Sequence, residues 1–108
     1  MKRYRVRVIE DAENDLLDIY AYIATHDSVE KGLNVVDKLE ALCHTLAELP
    51  LRGHIPKELV RVGVGNYLEV HFKPYHVIYE VRSRDVVVHC ILDGRRDLQS
   101  LLERRLLR

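Results

Sequence analysis

Two histidines and a set of basic side chains in the second half of the chain are the strongest candidates for chemistry. His71 and His76 flank a tight turn at Lys73-Pro74. Basic residues that could converge near them are Arg61, Lys73, Arg95 and Arg96. An arginine beside a histidine can bind a phosphate and move a proton, which RNA cleavage requires. The alternative is that Arg95 and Arg96 only solubilise a loop, because runs of charge are usually solvated.

Other kinds of site are not indicated by the residue spacing. The six histidines never form an H-x-x-x-H pair or a similar pair with cysteine, so we expect no metal site and no cofactor. The Gly63-Val64-Gly65 run lacks the rest of any phosphate-binding fingerprint. The serines fall in cap, turn and helix contexts, which excludes a nucleophile elbow. Cys43 and Cys90 lie far apart in apolar contexts, and we expect both to be buried thiols.

Composition indicates a single α+β domain over residues 1–108, because two domains do not fit in this length. No apolar run approaches the ~18 residues that span a bilayer, and the basic N-terminus is not followed by an apolar signal region. We therefore expect a cytoplasmic protein without a membrane partner. The net charge is zero but unevenly distributed: +4 in residues 1–9, −7 in residues 10–58 and +3 in residues 59–108. The acids concentrate on the outer faces of two predicted helices, where solvated charge is commoner than acid–base chemistry.

Hydrophobic periodicity places these residues on elements. Residues 3–9 alternate as a half-buried strand, and residues 11–49 form a helical hairpin with a break at residues 25–27. Residues 27–30 resemble a capping box for the second helix, with Asp27 or Ser28 as the N-cap and Glu30 reaching back. Alternation then predicts short strands at 59–64, 67–72 and 75–82, and a buried central strand at 86–92. Asp97 is a candidate N-cap for a last helix. Helices followed by strands are typical of an α+β fold: an N-terminal strand, a helical hairpin, an antiparallel β-meander and a short C-terminal helix.

A set of motifs runs in order along nearly the whole chain. They are Ala12-x3-Leu16-x2-Ile19-x2-Tyr22-Ile23, Leu46-x2-Leu49-Pro50-x2-Gly53, Pro74-Tyr75-His76-Val77-Ile78-Tyr79 and Val87-Val88-x2-Ile91-Leu92-x-Gly94-Arg95-Arg96-Asp97-Leu98. This pattern resembles the RelE/ParE toxin superfamily. The resemblance implies a small toxin of a type II toxin–antitoxin, plasmid-stabilisation type of system, neutralised in a heteromeric complex with a cognate antitoxin. It also implies that the hairpin packs on the sheet and that the first strand lies beside the last.

The superfamily divides by target. RelE-like members cut mRNA in the ribosome, whereas ParE-like members poison DNA gyrase. This chain has His76 where RelE-like toxins commonly have arginine, and Tyr67 and Glu69 where they have lysines. The late tyrosine position falls near Leu102, and only Arg96 matches a RelE catalytic arginine. The resemblance therefore favours a ParE-like gyrase inhibitor that acts by binding, with growth inhibition as the outcome.

Two other functions stay open. The chain could be a RelE-like endonuclease, an enzyme in which His76 moves the proton and Arg96 stabilises the phosphorane charge, with the ribosome and mRNA as partners. It could also be an inactive antitoxin-binding module. In the ParE-like case we expect no catalytic residue, and contact with DNA only indirectly through the antitoxin. The candidate target-binding residues are Arg61, Lys73, Tyr75, His76, Arg95 and Arg96.

The C-terminal helix is the expected antitoxin site. Its leucines are numerous for a helix of about three turns, so some apolar surface should be left over after packing, rimmed by arginines. Such a surface suits an amphipathic, acidic segment. The candidate antitoxin-binding residues are Leu98, Leu101, Leu102, Arg105 and Leu106.

Overall fold

The computed structural model describes residues 3–107 and confirms the α+β class. Lys2 and Arg108, which contribute to the charge pattern, lie outside the described residues. The elements are β1 Arg5–Val8, α1 Glu10–His26, α2 Val29–Thr45, α3 Lys57–Val60, β2 Leu68–Phe72, β3 Tyr75–Arg82, β4 Asp85–Asp93 and α4 Leu98–Leu106. None of the described helices combines the length and the apolar character needed to cross a membrane.

The strand order is β1-β4-β3-β2, so the first strand does lie beside the last. β1 pairs with β4 in parallel, and the other neighbours are antiparallel. β4 is central and buried as expected, since six of its nine residues are buried. Hairpin residues cover one face of the sheet around Tyr79 and Val88, and α4 covers the other face around Ile78 and Cys90.

The helical hairpin begins as the sequence predicts but ends earlier. The Ser28 side chain accepts a hydrogen bond from the Lys31 N–H, which caps α2. The predicted end at residue 49 is wrong, because α2 ends at Thr45. The Leu46 N–H turns back to the Cys43 carbonyl, which tightens the last turn and directs Leu46 into the core, where it is fully buried.

The strand predicted at residues 59–64 is also wrong. Pro56 starts a single helical turn, α3, and its carbonyl accepts from the Leu59 and Val60 N–H groups. Leu59 is fully buried against the α4 side of the sheet, whereas Val60 and Val62 stay exposed. Packing of one leucine under α4 therefore outweighs the alternating pattern, which is a weak local preference.

β4 carries one extra residue opposite β3. Ile78 faces Cys90 and Tyr79 faces Val88, so His89 has no partner and the strand bulges there. β1 has ended at this point, so side chains rather than a strand form hydrogen bonds with this edge of β4. Asp15 of α1 accepts from the Ile91 N–H at 2.9 Å, and Arg105 of α4 donates to the His89 carbonyl at 3.3 Å.

Candidate functional site

The end of the β2–β3 hairpin forms a basic cavity of about 320 Å³. Four of the six residues predicted to bind the target line it: Lys73, Tyr75, His76 and Arg95. They meet because the two-residue connection at Lys73-Pro74 sets His71 directly opposite His76 in the antiparallel ladder. The structure therefore brings these four residues together, and their role in target binding stays a prediction. We call this surface the basic cavity.

His76 is held from both sides. Its Nδ1 lies 2.6 Å from Oε1 of Glu69. Its opposite edge packs on Gly94, where an added Cβ would come within 2.4 Å of Nε2. The Gly94 N–H donates to the Pro74 carbonyl at 2.7 Å, which closes the turn over the ring. The imidazole is thus a fixed part of the wall.

Glu69 is a buried carboxylate that contacts several imidazoles, and its side chain is only 4% exposed. Such burial by itself would raise the pKa of Glu69. Hydrogen bonds from His76 and His71 outweigh this effect and hold the pKa below its ordinary value. The sequence comparison treated Glu69 only as a replaced lysine. Its spacing two residues before His71 on one strand was the signal that could have drawn attention to it.

The two adjacent arginines differ in their surroundings. Arg95 forms a bidentate pair with Asp93, with a shortest N–O distance of 2.7 Å, and this pair lowers the pKa of Asp93. Arg96 is exposed and lines a second cavity of about 520 Å³, which acids such as Asp18 also line. We call it the mixed-charge cavity. Arg96 lines the mixed-charge cavity and His76 lines the basic cavity, whereas Tyr75 and Arg95 line both.

Arg61 lies apart from the other predicted target-binding residues. It follows α3 and donates from Nη1 to Oε1 of Gln99 on α4 at 3.3 Å. It lines neither the basic nor the mixed-charge cavity. The structure therefore does not bring it together with Arg95 and Arg96 as the sequence analysis suggested.

A larger apolar groove, of about 760 Å³, lies between β1 and the two long helices. We call it the hairpin groove. Its lining includes Leu17, which is 63% exposed, and Leu33, which is 52% exposed. Glu13 and Glu40 are the carboxylates in the lining. The sequence analysis missed this groove, because it considered the apolar stripes of the helices only as surfaces that pack on the sheet.

The family model described as ParE toxin of type II toxin-antitoxin system, parDE, matches residues 6–98. The chain belongs to the ParE toxin family. It is 27% identical to Toxin ParE3 of Caulobacter vibrioides over 101 residues, which covers 94% of this chain and 97% of that protein.

Solved structures agree on the fold. The chromosomal ParDE toxin–antitoxin system from P. aeruginosa matches with a TM-score of 0.71 and 16% identity, covering 84% of this chain and 96% of that chain. The RelBE2 toxin–antitoxin complex from Mycobacterium tuberculosis matches with a TM-score of 0.64 and 16% identity, covering 86% and 93%. The RelE/ParE-like fold is therefore shown, and this ParE-family chain is a type II toxin.

The C-terminal leucines of this toxin do not form the leftover surface expected from the sequence. Leu98, Leu101 and Leu102 are buried in the core under α4, and Leu106 packs partly against the same core. The expectation that leucine is left exposed is wrong for these three residues. They pack against Leu59 of α3 and against the sheet face that carries Ile78 and Cys90.

Arg105 is likewise engaged within the toxin. It forms a two-point ion pair with Asp15 at 3.0 and 3.1 Å, and this hydrogen bonding raises the pKa of the guanidinium. Asp15 is therefore an exception to the expectation that the acids of the hairpin are solvated surface charge. Antitoxin binding at α4 stays a prediction. The exposed leucine surface that suggested it is not present at Leu98, Leu101 and Leu102.

Proposed function

We propose that this toxin inhibits DNA gyrase by binding and that a cognate antitoxin neutralises it. The observation that carries the proposal is the match of the ParE family model to residues 6–98. ParE-like members of the superfamily, as the sequence resemblance implies, act on gyrase and need no hydrolytic site of their own. The basic cavity, with Lys73 and Arg95 exposed at its rim, is the surface we assign to the target.

The geometry of His76 supports a binding mechanism over RNA cleavage. A general acid or base must bring a ring nitrogen to the reacting atom. Nδ1 of His76 faces Glu69, and the opposite edge of the ring is packed on Gly94. Arg96, the arginine that would stabilise the phosphorane, lines a different cavity. The RelE-like alternative would therefore need a rearrangement of the hairpin end.

A supercoiling assay with purified gyrase and toxin tests the proposal. We expect loss of supercoiling and accumulation of cleaved DNA as toxin is added, and weaker inhibition by Lys73→Glu. Arg61→Glu is the matched control, since it reverses an exposed charge away from the basic cavity. Unchanged supercoiling at saturating toxin would overturn the proposal. Codon-spaced mRNA 5′ ends after induction would then favour the ribosome, and harmless overexpression would favour an inactive module.

We further propose that the antitoxin occupies the hairpin groove. Both structural relatives described above are toxin–antitoxin assemblies, which supports a protein partner of this kind. Leu17 and Leu33 are large apolar side chains left exposed within a concave surface, which is the pattern of an unfilled recognition groove. Glu13 and Glu40 in the lining favour a segment that combines apolar anchors with lysine or arginine.

Paired substitutions distinguish the groove from the C-terminal helix. Leu17→Ser and Leu33→Ser should each weaken antitoxin binding by about 2 kcal/mol if they meet central anchors. Leu51→Ser is the control, because Leu51 is 73% exposed and lies outside the groove. Calorimetric titration with the antitoxin encoded beside the toxin gene measures the change. Wild-type affinity for both groove variants would contradict the assignment of the hairpin groove and would favour α4 as the antitoxin site instead.

A further inference from the structure

Two histidines and a glutamate, contributed by a loop and by β2, meet beside the basic cavity. The imidazoles of His54 and His71 and the carboxylate of Glu69 place one ligand atom each within 4.8 Å of the others. Nε2 of His54 lies 3.3 Å from Oε2 of Glu69, and Nε2 of His71 lies 2.9 Å from Oε1. Two nitrogen donors and one carboxylate oxygen thus converge on one point of the surface.

The backbone fixes this arrangement. His54 and Glu69 form an isolated antiparallel bridge, with N–O distances of 3.2 Å and 2.7 Å in the two directions. The preceding residue, Gly53, allows the loop to lie flat on β2, since a Cβ there would come within 2.5 Å of the Glu69 carbonyl. His71 stands two residues beyond Glu69 on the same strand. The loop and the strand therefore hold the three side chains together without help from a ligand.

The exposed fractions of the three side chains suit a metal site with one buried ligand and an outer side that is open to solvent. Glu69 is 4% exposed, whereas His71 is 38% and His54 is 63% exposed. His76 contacts Oε1 of Glu69 through Nδ1 and would orient the carboxylate, as the outer partners of metal ligands commonly do. An ion bound here would have a protein ligand on its inner side and solvent positions on its outer side.

The donor set selects the class of ion. Imidazole nitrogens suit zinc and its transition-metal neighbours, whereas magnesium and calcium prefer all-oxygen sites. Zinc–ligand bonds of about 2.0–2.1 Å in tetrahedral geometry place neighbouring ligand atoms about 3.3 Å apart. Nε2 of His54 and Nε2 of His71 lie 3.3 Å and 2.9 Å from the two different oxygens of Glu69, so each nitrogen–oxygen separation is close to this spacing. One ligand atom from each residue lies within 4.8 Å of the others, so small side-chain adjustments suffice to gather them around one ion.

We propose that His54, Glu69 and His71 bind a divalent transition-metal ion of the zinc type, which fastens the loop containing His54 to β2. The proposal does not depend on the identity of the toxin's target. It differs from the expectation from sequence spacing that the chain has no metal site. That expectation considered only pairs close in sequence, whereas His54 reaches the cluster through a tertiary bridge.

Calorimetric titration of Zn²⁺ into the metal-stripped, tag-free toxin tests the proposal. We expect one equivalent to bind and the melting temperature to rise. His54→Ala should weaken binding by at least about tenfold, because loss of even an outer partner commonly costs 10–100-fold. His44→Ala is the control, since it removes another exposed histidine, on α2. A Co²⁺-loaded sample should show the intense visible absorption of a four-coordinate ion.

Two outcomes would overturn the proposal. One is the absence of stoichiometric Zn²⁺ binding by the wild-type toxin. The other is equal affinity in wild type and His54→Ala, which would locate any bound ion elsewhere. Circular dichroism of His54→Ala checks the fold, and we expect it unchanged because the exposed ring carries no core packing and the bridge uses only backbone atoms. His71→Ala supplies an independent second test of the same ligand set.

Discussion

Removal of the Asp15 carboxylate should destabilise the toxin more than any other single change on the surface of α1. Asp15 accepts from the Ile91 N–H at 2.9 Å and from both terminal nitrogens of Arg105 at 3.0 and 3.1 Å. It thereby joins α1 to β4 and to α4 at the point where β1 no longer covers the sheet edge. Asp15→Ala would leave the Ile91 N–H without this acceptor and would leave the Arg105 guanidinium with the His89 carbonyl but without a carboxylate.

The magnitude follows from the burial of the pair. The Asp15 side chain is 13% exposed and that of Arg105 is 21% exposed. Hydrogen bonds to charged groups contribute about 1.5–3 kcal/mol, and breaking a fully buried pair costs about 3–5 kcal/mol. Because solvent still reaches this pair, we expect Asp15→Ala to lower the free energy of unfolding by about 2–3 kcal/mol. The melting temperature should fall by on the order of 10 °C.

Urea denaturation followed by circular dichroism measures the change. Asp15→Asn should lose roughly half as much as Asp15→Ala, because the amide oxygen still accepts from Ile91 while the charge is gone. Asp18→Ala, an exposed acid one turn later, is the control and should stay within about 0.5 kcal/mol of wild type. If Asp15→Ala also stays within that range, the pair does not stabilise the fold and the reasoning is refuted.

Three further predictions concern other parts of the toxin. Gly94→Ala should lower the free energy of unfolding by about 1–3 kcal/mol, because the added Cβ would displace His76. Gly65→Ala should be nearly neutral, because its Cβ would meet only an atom 3.9 Å away, and thermal melts compare the two variants. Burial raises the pKa of both cysteines to about 12, so iodoacetamide at neutral pH should label neither until the protein is unfolded, and rapid native labelling would refute this. Burial by itself would raise the pKa of Glu80, but the hydrogen bonds from Asn66 and His89 together with the charge of Arg82 outweigh it and hold the pKa below its ordinary value of 4.5. The stability advantage of wild type over Glu80→Gln should therefore be full at pH 7 and shrink as pH falls below 4.5, which denaturant titrations at several pH values measure.

Local patterns were sufficient for most elements of the fold. Strict alternation located β3 at Tyr75–Arg82, and the nearly continuous apolar run of β4 indicated its central place in the sheet. The capping roles of Ser28 and Asp97 are confirmed by bonds from Lys31 N–H and Ser100 N–H. Each of these features depends on residues within a few positions of one another, which is the information that a single sequence carries best.

The features that sequence reasoning missed all depend on distant contacts. The bulge at His89 shifts the β3–β4 register, and periodicity alone cannot anticipate an extra residue. Leu59 became part of a helical turn because α4 lies over it. The His54–Glu69 bridge brings a loop against a strand, so the histidine cluster had no sequence motif. The candidate site was therefore predicted in its hairpin part, and its loop part could not be.

The hairpin groove and the mixed-charge cavity lie on opposite sides of α1, and this placement predicts how much of the antitoxin neutralisation requires. Leu17 and Tyr20 line the hairpin groove, whereas Asp18 and Tyr22 line the mixed-charge cavity on the opposite side of the same helix. A helix is about 10 Å across, so an extended segment needs only about three to four residues to cross it. On the proposed function, an antitoxin shortened to end in the groove should still bind but should no longer restore supercoiling. Full restoration by the shortened antitoxin would show that covering Tyr75 and Arg95, which line both the mixed-charge cavity and the basic cavity, is unnecessary for neutralisation.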